Sequence, residues 1–462
     1  MPSFDILAAG LALLAVVNAS PAPAPSPAPA PQAVSVASSF FSSETGAAAK
    51  ALETAILAVP SLDDIEKELH IDPNSNDLAN ISTSALLIPS YANFTDQGWN
   101  IRFYGLAYKQ PQNIDTSGLD KIINGLTTDN LNETETTLLH NRTVDLASIP
   151  VPHANFSAVI AANGSNVTTT PITLTTADEV GEFDQFVVVP QLQGESDGVR
   201  VVETGILNAT GPGNGTAILV PTQGISIVSD IDDVLRITKV YVPNEGLLNS
   251  FAKPYVNVPG IPALFAHWLE TLPNASFHYD TTTPVQLTRT YVDYLFANFP
   301  LGSLEMRPIN ISDPSAILDA RQDSLLKLFQ TFPKRKFVLV GDTSSSTLLS
   351  AYPQIAQQFP NNIACIFIRN TSATDSDDKL PYDTSDFKKV KNGTYFFYRV
   401  AEDLMNLDIP SGQCVNSSIP QNVTFGEQGG ILDNAASASL VPMSWMSAAV
   451  AVAVVATTLG FF

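Results

Sequence analysis

Basic residues are scarce in this sequence, which has 23 lysines and arginines against 45 aspartates and glutamates in 462 residues. The formal net charge is −22, and no stretch forms a basic stripe. Nucleic acid is therefore excluded as the expected partner. The acidic balance is typical of a soluble protein that is secreted or displayed on a surface, and no pattern indicates a protein partner.

Cysteine is almost absent, because the chain contains only Cys365 and Cys414. In an oxidising compartment the two residues could form a disulfide. Cys365 lies in the apolar, strand-like run "IACIFIRN", where a buried free thiol is an equally good interpretation. Both interpretations stay open from the sequence.

Long apolar runs are confined to the ends of the chain. At the start, an apolar core from Ile6 to Val17 is followed by small residues. This pattern predicts a secretory signal peptide over residues 1–20. Residues 21–34 are rich in proline and alanine and predict an extended spacer that cannot pack a core.

The other apolar run ends at the C-terminus, and residues 426–462 carry no charge after Asp433. Small residues beginning at Asn434 precede the apolar tail, so we expect a linker and GPI-attachment signal with Asn434 as the attachment site. A transmembrane tail anchor is the alternative. Fifteen Asn-x-Ser/Thr sequons between the two ends indicate N-glycans and passage through the secretory pathway. The expected location is the extracellular cell surface.

The central part of the chain divides by pattern. Residues 35–86 predict a short helix and loops. Residues 87–221 contain strand-like runs separated by turn residues and predict a small β-rich domain. In residues 222–425, short apolar runs alternate with helical segments, which predicts an α/β domain with a parallel sheet and helices on both faces. Its predicted strands are Gly224–Asp230, Ser276–Thr281, Ser303–Ile309, Lys336–Asp342 and Ile363–Asn370.

Chemistry-bearing residues collect at the ends of the predicted strands. "GISIVSDIDDV" places Asp230, Asp232 and Asp233 after an apolar run, and Thr281 and Asp342 end two other strands. Parallel sheets bind ligands at the carboxyl ends of their strands. Two carboxylates, a hydroxyl and a divalent cation are the parts that phosphoryl transfer through an aspartate needs. The alternative is a solvated acidic loop at the edge of the sheet.

The ordered motifs resemble a known family. "SDIDDV", "FHYDTTTP", "EMRPIN", "FPKRKFVLVGDT" and "IFIRN" are similar to the catalytic domain of the actin-patch-associated phosphatidate phosphatases, within the haloacid dehalogenase-like superfamily. "GWNIRFYGLAYK" and "TTADEVGEFDQFVVV" resemble the β-rich region that precedes this domain in the family. The resemblance implies a Rossmann-like phosphatase fold.

The resemblance also implies roles for individual residues. Asp230 would be the nucleophile and a metal ligand, and Asp232 the general acid/base that lends its backbone carbonyl to the metal. Asp342 would complete a Mg²⁺ site. Thr281 would hydrogen-bond the phosphate. Val234 stands where threonine is usual, a replacement that the superfamily accepts.

Three positions depart from the family pattern. Its lysine is replaced by Arg321, with Lys327 as the other candidate position, and arginine changes the geometry of phosphate binding. Thr347 stands where a second acid would follow Asp342. Asp280 adds negative charge beside Thr281, in place of an apolar residue. These departures predict altered or lost activity.

Several neighbouring residues have two interpretations. Thr281 and Thr283 bind phosphate or cap a helix near Pro284. Arg307 and Arg369, at strand ends, bind a substrate anion or form salt bridges.

The sequence pattern also leaves the roles of two further residues undecided. Asp233 is a turn carboxylate or supports a metal ligand. His278 lies within a predicted strand, where packing is favoured over catalysis.

The preferred hypothesis is a Mg²⁺-dependent phosphatase acting on a phosphate monoester of phosphatidate type. Between Asp232 and Thr281 there is no room for a large cap domain, and an uncapped site suits a lipid phosphate at a membrane surface. The alternative is a non-catalytic cell-surface protein that binds lipid or anions on a degenerate phosphatase fold.

Overall fold

The computed structural model describes most of the chain between Asn76 and Gln421. The described residues are 76–111, 117, 131–162, 165–166, 171–175, 180–192, 194–195, 198–210, 213–308, 314–378, 383–419 and 421. The signal peptide, the spacer, most of the 35–86 segment and the attachment signal with Asn434 lie outside the described residues, so they stay predictions.

A curled sheet of ten strands forms the N-terminal half of the described chain. Its strands are β1 (Ser84–Leu87), β2 (Ser90–Thr95), β3 (Gly98–Lys109), β4 (Ile149–Pro150), β5 (Asn155–Ala162), β6 (Ser165–Asn166), β7 (Ile172–Thr175), β8 (Glu182–Val189), β9 (Arg200–Ile206) and β10 (Asn214–Val220). The twelve-residue β3 pairs with β1, β2, β4 and β8, so it is the strand that connects most of this sheet. The first strand begins inside the segment for which the pattern predicts helix and loops.

Helices α1 (Asn76–Ala79) and α2 (Glu133–Leu146) accompany the curled sheet. Helix α2 starts with a capping box, in which the side chains of Asn132 and Glu135 each accept from the other residue's backbone N–H.

A second sheet has six strands, all parallel. Its strands are β11 (Ile225–Ser229), β12 (Ser276–Pro284), β13 (Gly302–Arg307), β14 (Lys336–Asp342), β15 (Ile363–Arg369) and β16 (Tyr395–Tyr398). The helices of this part are α3 (Pro243–Phe251), α4 (Ile261–Thr271), α5 (Thr288–Asn298), α6 (Pro314–Thr331) and α7 (Ser346–Gln358). The predicted mixed α/β class with a parallel sheet is confirmed; strand β16 and helix α3 are additional elements.

The strand order of the parallel sheet is β13-β12-β11-β14-β15-β16. Counted along the chain this is 3-2-1-4-5-6, an order found in doubly wound α/β sheets. The order reverses between β11 and β14, where the connections leave in opposite directions. Such a reversal opens a crevice at the carboxyl ends of the two strands, and ligands bind there.

Buried apolar residues hold both sheets in shared cores. On β11, Ile227 belongs to one cluster and Val228 to another, because successive side chains of a strand point to opposite faces. The first cluster also contains Tyr104 of the curled sheet, and the second contains Tyr91. The backbone N–H of Leu304 in β13 donates to Pro89 at 2.8 Å. The curled sheet therefore packs directly against the β13 edge of the parallel sheet.

The two cysteines form a disulfide that joins β15 to the C-terminal segment of the described chain. Cys365 and Cys414 are 49 residues apart, and both are buried. This settles the question that the sequence left open. Within the described part of the chain, no helix has the length and apolar character that crossing a bilayer would require.

Candidate active site

Asp230 lies where β11 ends, at the point where the strand order reverses. Its backbone N–H donates to Val340 of β14 at 3.0 Å, which fixes the position of the residue between the two strands. The residue is only 3% exposed. Burial raises the pKa of the Asp230 carboxyl to about 7; Arg321 opposes this rise, and the charges of Asp232 and Asp280 add to it.

Arg321 of helix α6 is the cation that reaches Asp230. One terminal nitrogen, Nη2, lies 3.3 Å from Asp230 Oδ1, and the arginine side chain is buried. Lys327, further along the same helix, contacts Asp184 of the curled sheet through its Nζ. Of the two positions considered for the family lysine, 321 is therefore the one beside the candidate nucleophile.

Asp280 is a second acid near this arginine. It lies on β12 and is buried. Burial raises the pKa of its carboxyl to about 6, while Arg321 lowers it. The positive charge of one guanidinium group, that of Arg321, thus acts on two carboxyl groups, those of Asp230 and Asp280.

Asp232 is surrounded by hydrogen-bond donors. Arg236 contacts its Oδ1 through Nε at 2.8 Å and Nη2 at 2.7 Å, and Thr238 Oγ1 donates to the same oxygen at 2.8 Å. Thr281 Oγ1 donates to Oδ2 at 3.1 Å, and the Tyr291 hydroxyl lies 3.3 Å from both oxygens. Although burial opposes ionisation, Arg236 and the hydroxyl donors lower the pKa of Asp232. Asp232 is therefore held as a carboxylate.

Asp233 stabilises the turn that follows. Its backbone is left-handed, with φ at 56°. Its carboxylate accepts from the backbone N–H groups of Thr238 at 3.0 Å, Lys239 at 2.7 Å and Val240 at 2.8 Å. Of the two interpretations of Asp233, the turn carboxylate fits these contacts.

Asp342 ends β14, on the other side of the crevice from Asp230. It is fully buried. Its Oδ1 accepts from the backbone and the hydroxyl of Ser344, whereas its Oδ2 accepts no hydrogen bond from the described residues. Burial raises the pKa of the Asp342 carboxyl well above its usual range, and the charges of Asp230 and Asp233 add to the rise. This oxygen of Asp342 is buried and accepts no hydrogen bond from the described residues, and a second carboxylate, Asp230, is close by. Such an oxygen is a suitable ligand for a cation that prefers oxygen.

The donor set is small. In the described residues, no group of three or more His, Cys, Asp or Glu side chains is arranged to hold a metal ion. Mg²⁺ keeps several waters and is often held by one or two carboxylates plus substrate phosphate. Asp230 and Asp342, with the backbone carbonyl of Asp232, are compatible with such a site. The side chain of Asp232 is engaged by Arg236 instead.

Thr281 and Thr283 belong to the carboxyl end of β12. Thr281 Oγ1 contacts Asp232, and Thr283 Oγ1 lies 2.8 Å from the Tyr291 hydroxyl. Neither the short 3-10 turn at 285–287 nor helix α5 has a side-chain cap hydrogen bond. The helix-cap interpretation of the two threonines is therefore wrong, and both hydroxyls lie at the candidate site.

The two arginines at strand ends flank the crevice from opposite sides. Arg307, at the end of β13, donates from Nε to the backbone oxygen of Thr282 at 2.8 Å. Arg369, at the end of β15, donates to the Asp233 carbonyl at 2.6 Å and to Thr374 Oγ1 at 3.0 Å. In the described part of the chain neither arginine forms an ion pair with a carboxylate, so the salt-bridge interpretation finds no support.

His278 is packed inside β12, as the sequence favours. It is buried between Ser276 and Ser303, which lie within 3.3 Å and 2.8 Å of its ring nitrogens. Burial lowers the pKa of His278 to about 3, and Arg335 contributes. A neutral, enclosed imidazole does not take part in the chemistry at the strand ends.

Sequence reasoning missed the residues that hold Asp232. Arg236 follows Asp232 by four positions, a spacing that could have suggested an ion pair within the turn. Its guanidinium carbon stacks 4.0 Å from the Tyr255 ring and 4.9 Å from the Tyr291 ring. No sequence signal connects Tyr291 with Asp232, because the contact spans 59 residues.

The sequence of this domain was compared with those of known proteins and protein families. Residues 225–370 match the model of the phosphatidate phosphatase APP1 catalytic domain, and the match contains Asp230, Asp342 and Arg321. The chain is also 32% identical over 165 residues to phosphatidate phosphatase APP1 of Saccharomyces cerevisiae. Residues 225–370 are therefore similar to the phosphatidate phosphatase catalytic domain.

The family match covers part of each protein. The alignment with the S. cerevisiae enzyme spans 34% of this chain and 28% of that enzyme. An uncharacterized protein of Schizosaccharomyces pombe is 31% identical over 157 residues, which are 32% of this chain and 25% of that protein. Among solved structures, a GH2 β-galacturonidase from Eisenbergiella tayi aligns with 63% of this chain and 46% of its own at 9% identity. Its TM-score of 0.23 carries no argument about fold or function.

The departures from the phosphatidate phosphatase pattern have visible positions in the structure. Arg321 contacts the candidate nucleophile directly. Thr347 lies in the first turn of α7, buried, with its hydroxyl 3.2 Å from that of Ser345. Asp280 shares the environment of Arg321. Two of the three departures, Arg321 and Asp280, thus act on the charge of Asp230.

Proposed function

We propose that the α/β domain is a Mg²⁺-dependent phosphatase that hydrolyses a phosphate monoester, of phosphatidate type, through an aspartyl-phosphate. One observation carries the proposal: Asp230 is buried where the strand order reverses, beside Asp342 and Arg321, within the segment that matches the phosphatidate phosphatase catalytic-domain model. The haloacid dehalogenase type of the fold is part of the same proposal.

Asp230 is the nucleophile in this scheme. Its carboxylate oxygen attacks phosphorus, and the bond from phosphorus to the alcohol oxygen breaks as that oxygen takes a proton. Water then attacks the aspartyl-phosphate, which restores the carboxylate and releases inorganic phosphate. Arg321 and the Thr281 hydroxyl lie close enough to this carboxylate pair to hold phosphate oxygens.

Asp232 supplies proton transfer. Its contacts with Arg236, Thr238 and Tyr291 stabilise the ionised form, which is the form that takes a proton from the attacking water. Protonation of the leaving alcohol by the same residue is the second half of the proposed role. It requires the carboxyl to carry a proton against the effect of Arg236.

A divalent cation would be held by Asp230 and Asp342, with the Asp232 carbonyl. When bound, Mg²⁺ would neutralise charge between the carboxylate and the phosphate and orient the phosphate. The unbonded Oδ2 of Asp342 supports this assignment.

We further propose that the substrate is a lipid phosphate met at a membrane surface outside the cell. The name of the yeast relative, phosphatidate phosphatase, supports a lipid phosphate as the substrate. The predicted signal peptide, N-glycans and GPI anchor support the location. Among the sequons, Asn80 and Asn392 are exposed, which leaves room for a glycan.

The alternative is a non-catalytic protein that binds anions on this fold. The contact between Arg321 and Asp230 favours it, because an ion pair with the nucleophile competes with its attack on phosphorus. In that case the site would bind phosphate without cleaving it.

A phosphate-release assay separates the two functions. Purified protein is incubated with phosphatidate vesicles or soluble phosphate monoesters, with Mg²⁺ or with a chelator. We expect Mg²⁺-dependent release by the wild type and none by Asp230→Asn, whose amide is not a nucleophile. The folding of Asp230→Asn is checked by its unfolding midpoint. Failure of the folded wild type to release phosphate from every ester would rule out the phosphatase.

A further inference from the structure

A cleft of about 390 Å³ lies between the curled sheet and the parallel sheet. Strands β3 and β8 supply one wall, and β12, β13 and helix α6 supply the other. Thr281 and Arg321 line the cleft and also contact Asp232 and Asp230. The cleft therefore adjoins the candidate active site, and the β-rich half of the chain forms part of it.

Two of the buried arginines in the cleft are paired with carboxylates. Arg102 of β3 is 1% exposed and bridges Asp184 at 2.6 Å and Glu305 at 2.5 Å. Arg321 contacts Asp230, as described above. The pair of Arg102 and Glu305 joins the two walls, and the acids Glu182, Asp280, Asp319 and Asp323 also line the cleft.

Arg307 differs from these two arginines. It lines the cleft at the end of β13 and is 4% exposed. Its Nε is held by the Thr282 carbonyl, and no carboxylate of the described residues forms an ion pair with it. Burial alone lowers the pKa of Arg307, to about 10, so the guanidinium is still positive at neutral pH. A buried, uncompensated cation is unfavourable until an anion binds it.

The position of Arg307 separates it from the scissile phosphate. Asp230 follows β11, and Arg307 ends β13, with β12 between them. Neighbouring strands are about 4.8 Å apart, so the two strand ends are roughly 10 Å apart. Because Nε is fastened to Thr282, the guanidinium stays on the β13 side. It thus faces the part of the substrate beyond the phosphate that Asp230 attacks.

We propose that the cleft holds the leaving group and that Arg307 binds a second anionic group on it, a carboxylate or a phosphate. The inference rests on the proposed phosphatase function and specifies its substrate class. The proposal places no acyl chain in the cleft, whose volume is about 390 Å³. The anionic group therefore belongs either to a small soluble ester or to a lipid headgroup whose chains stay outside.

The test uses pairs of substrates that differ in the second anion. The soluble pair is glycerol 3-phosphate and 3-phosphoglycerate, in which a carboxylate replaces a CH₂OH group. The lipid pair is vesicles with phosphatidate and vesicles with phosphatidylinositol 4-phosphate, which carries a second phosphate. The readout is the ratio of kcat/KM within each pair, from which the concentration of active enzyme cancels.

We expect the wild type to prefer the doubly anionic member by about 10- to 100-fold, the range for a hydrogen bond to a charged group. Arg307→Gln should bring the ratio close to one, and Arg307→Lys should retain part of the preference. Arg399→Gln, which changes a half-exposed arginine outside the cleft, is the matched control and should keep the wild-type ratio. If the preference appears in only one of the two pairs, that pair shows whether the second anionic group belongs to a soluble ester or to a lipid.

Other outcomes overturn the inference. If Arg307→Gln lowers kcat/KM equally for both members of a pair, Arg307 holds the scissile phosphate. If Arg307→Gln changes neither kcat/KM value, Arg307 binds no anionic group of the substrate at all. If the wild type cleaves none of the four substrates, the phosphatase proposal fails and this inference fails with it; activity without an Arg307-dependent preference refutes the inference alone.

Discussion

Replacing Arg236 should damage both stability and catalysis, because this arginine holds Asp232. Arg236 is 1% exposed on its side chain, and Asp232 is 15% exposed. Arg236→Met keeps most of the volume but removes the cation and the donors to Asp232, Ser250 and Tyr291. Asp232 would then be left largely buried without its counter-ion.

The magnitude follows from the geometry of the pair. Removing one partner of a buried ion pair costs about 3–5 kcal/mol, and the partial exposure of Asp232 places the cost near the lower end, about 3 kcal/mol. With a slope near 3 kcal/mol per M, the urea midpoint should fall by about 1 M. Since Asp232 is the proposed acid/base, kcat should fall by about 10²–10⁴-fold at neutral pH.

Two variants serve as controls. Arg236→Lys keeps the charge and should lose less stability than Arg236→Met. Tyr291→Phe removes a hydroxyl that contacts Asp232, Arg236 and Thr283 but keeps the charge of Arg236, so its expected cost of about 1–2 kcal/mol is below that of Arg236→Met. Urea unfolding and phosphate release are measured on all three variants. If Arg236→Met unfolds at the wild-type midpoint and keeps its turnover, Arg236 does not support Asp232 and the reasoning is refuted.

Three further changes test other parts of the structure. Cys414→Ser opens the bond to Cys365, and the 49-residue separation predicts a loss of about 4 kcal/mol in urea unfolding; an equal midpoint with and without reductant would contradict this. The folded pKa of His278, about 3, is below its unfolded value, so only the unfolded chain gains this proton as pH falls below 6.5. The wild type should therefore lose about 2 kcal/mol more than His278→Gln between pH 7 and pH 5, and equal losses would refute it. The guanidinium groups of Arg236 and Arg142 lie 4.0 and 4.1 Å from the centre of the Tyr255 ring. Tyr255→Leu should therefore lower the unfolding free energy by about 1 kcal/mol more than Tyr255→Phe, which keeps an aromatic ring. Equal losses in the two variants would exclude a cation–π contribution.

The parallel sheet could be predicted because its strands are short apolar runs between helical segments. The predicted Lys336–Asp342 coincides with β14, and Gly224–Asp230 is one residue longer than β11 at each end. A strand buried on both faces needs no alternation, so the apolar run alone marks it. The convergence of Asp230 and Asp342 followed from the rule that parallel strand ends meet at one edge.

Other features depend on contacts between distant parts of the chain. Strand β16 has only four residues, Tyr395–Tyr398, and its pattern is too short to separate from a loop. The disulfide needed the position of Cys414 against β15, which no spacing rule supplies. The cleft between the two sheets is likewise a property of how the sheets pack.

The individual side chains of the site were only partly predictable. Asp230, Asp232 and Asp342 could be named because carboxylates at strand ends suggest a cation and phosphate. The partners of these carboxylates could not, since Arg236, Tyr291 and Ser344 bond to them through local turns and long-range packing. Arg321 was inferred from the family pattern, and its contact with Asp230 was found in the structure.

The most direct test of the central claim is to look for a phosphoryl group on Asp230. Wild-type protein turning over phosphatidate with Mg²⁺ is quenched in acid, digested and analysed by peptide mass spectrometry. Our account predicts a phosphorylated peptide containing Asp230, with the phosphoryl group on that residue, and no such peptide from Asp230→Asn. Turnover by the wild type with no phosphoryl group on Asp230, or turnover by Asp230→Asn at the wild-type rate, would contradict it.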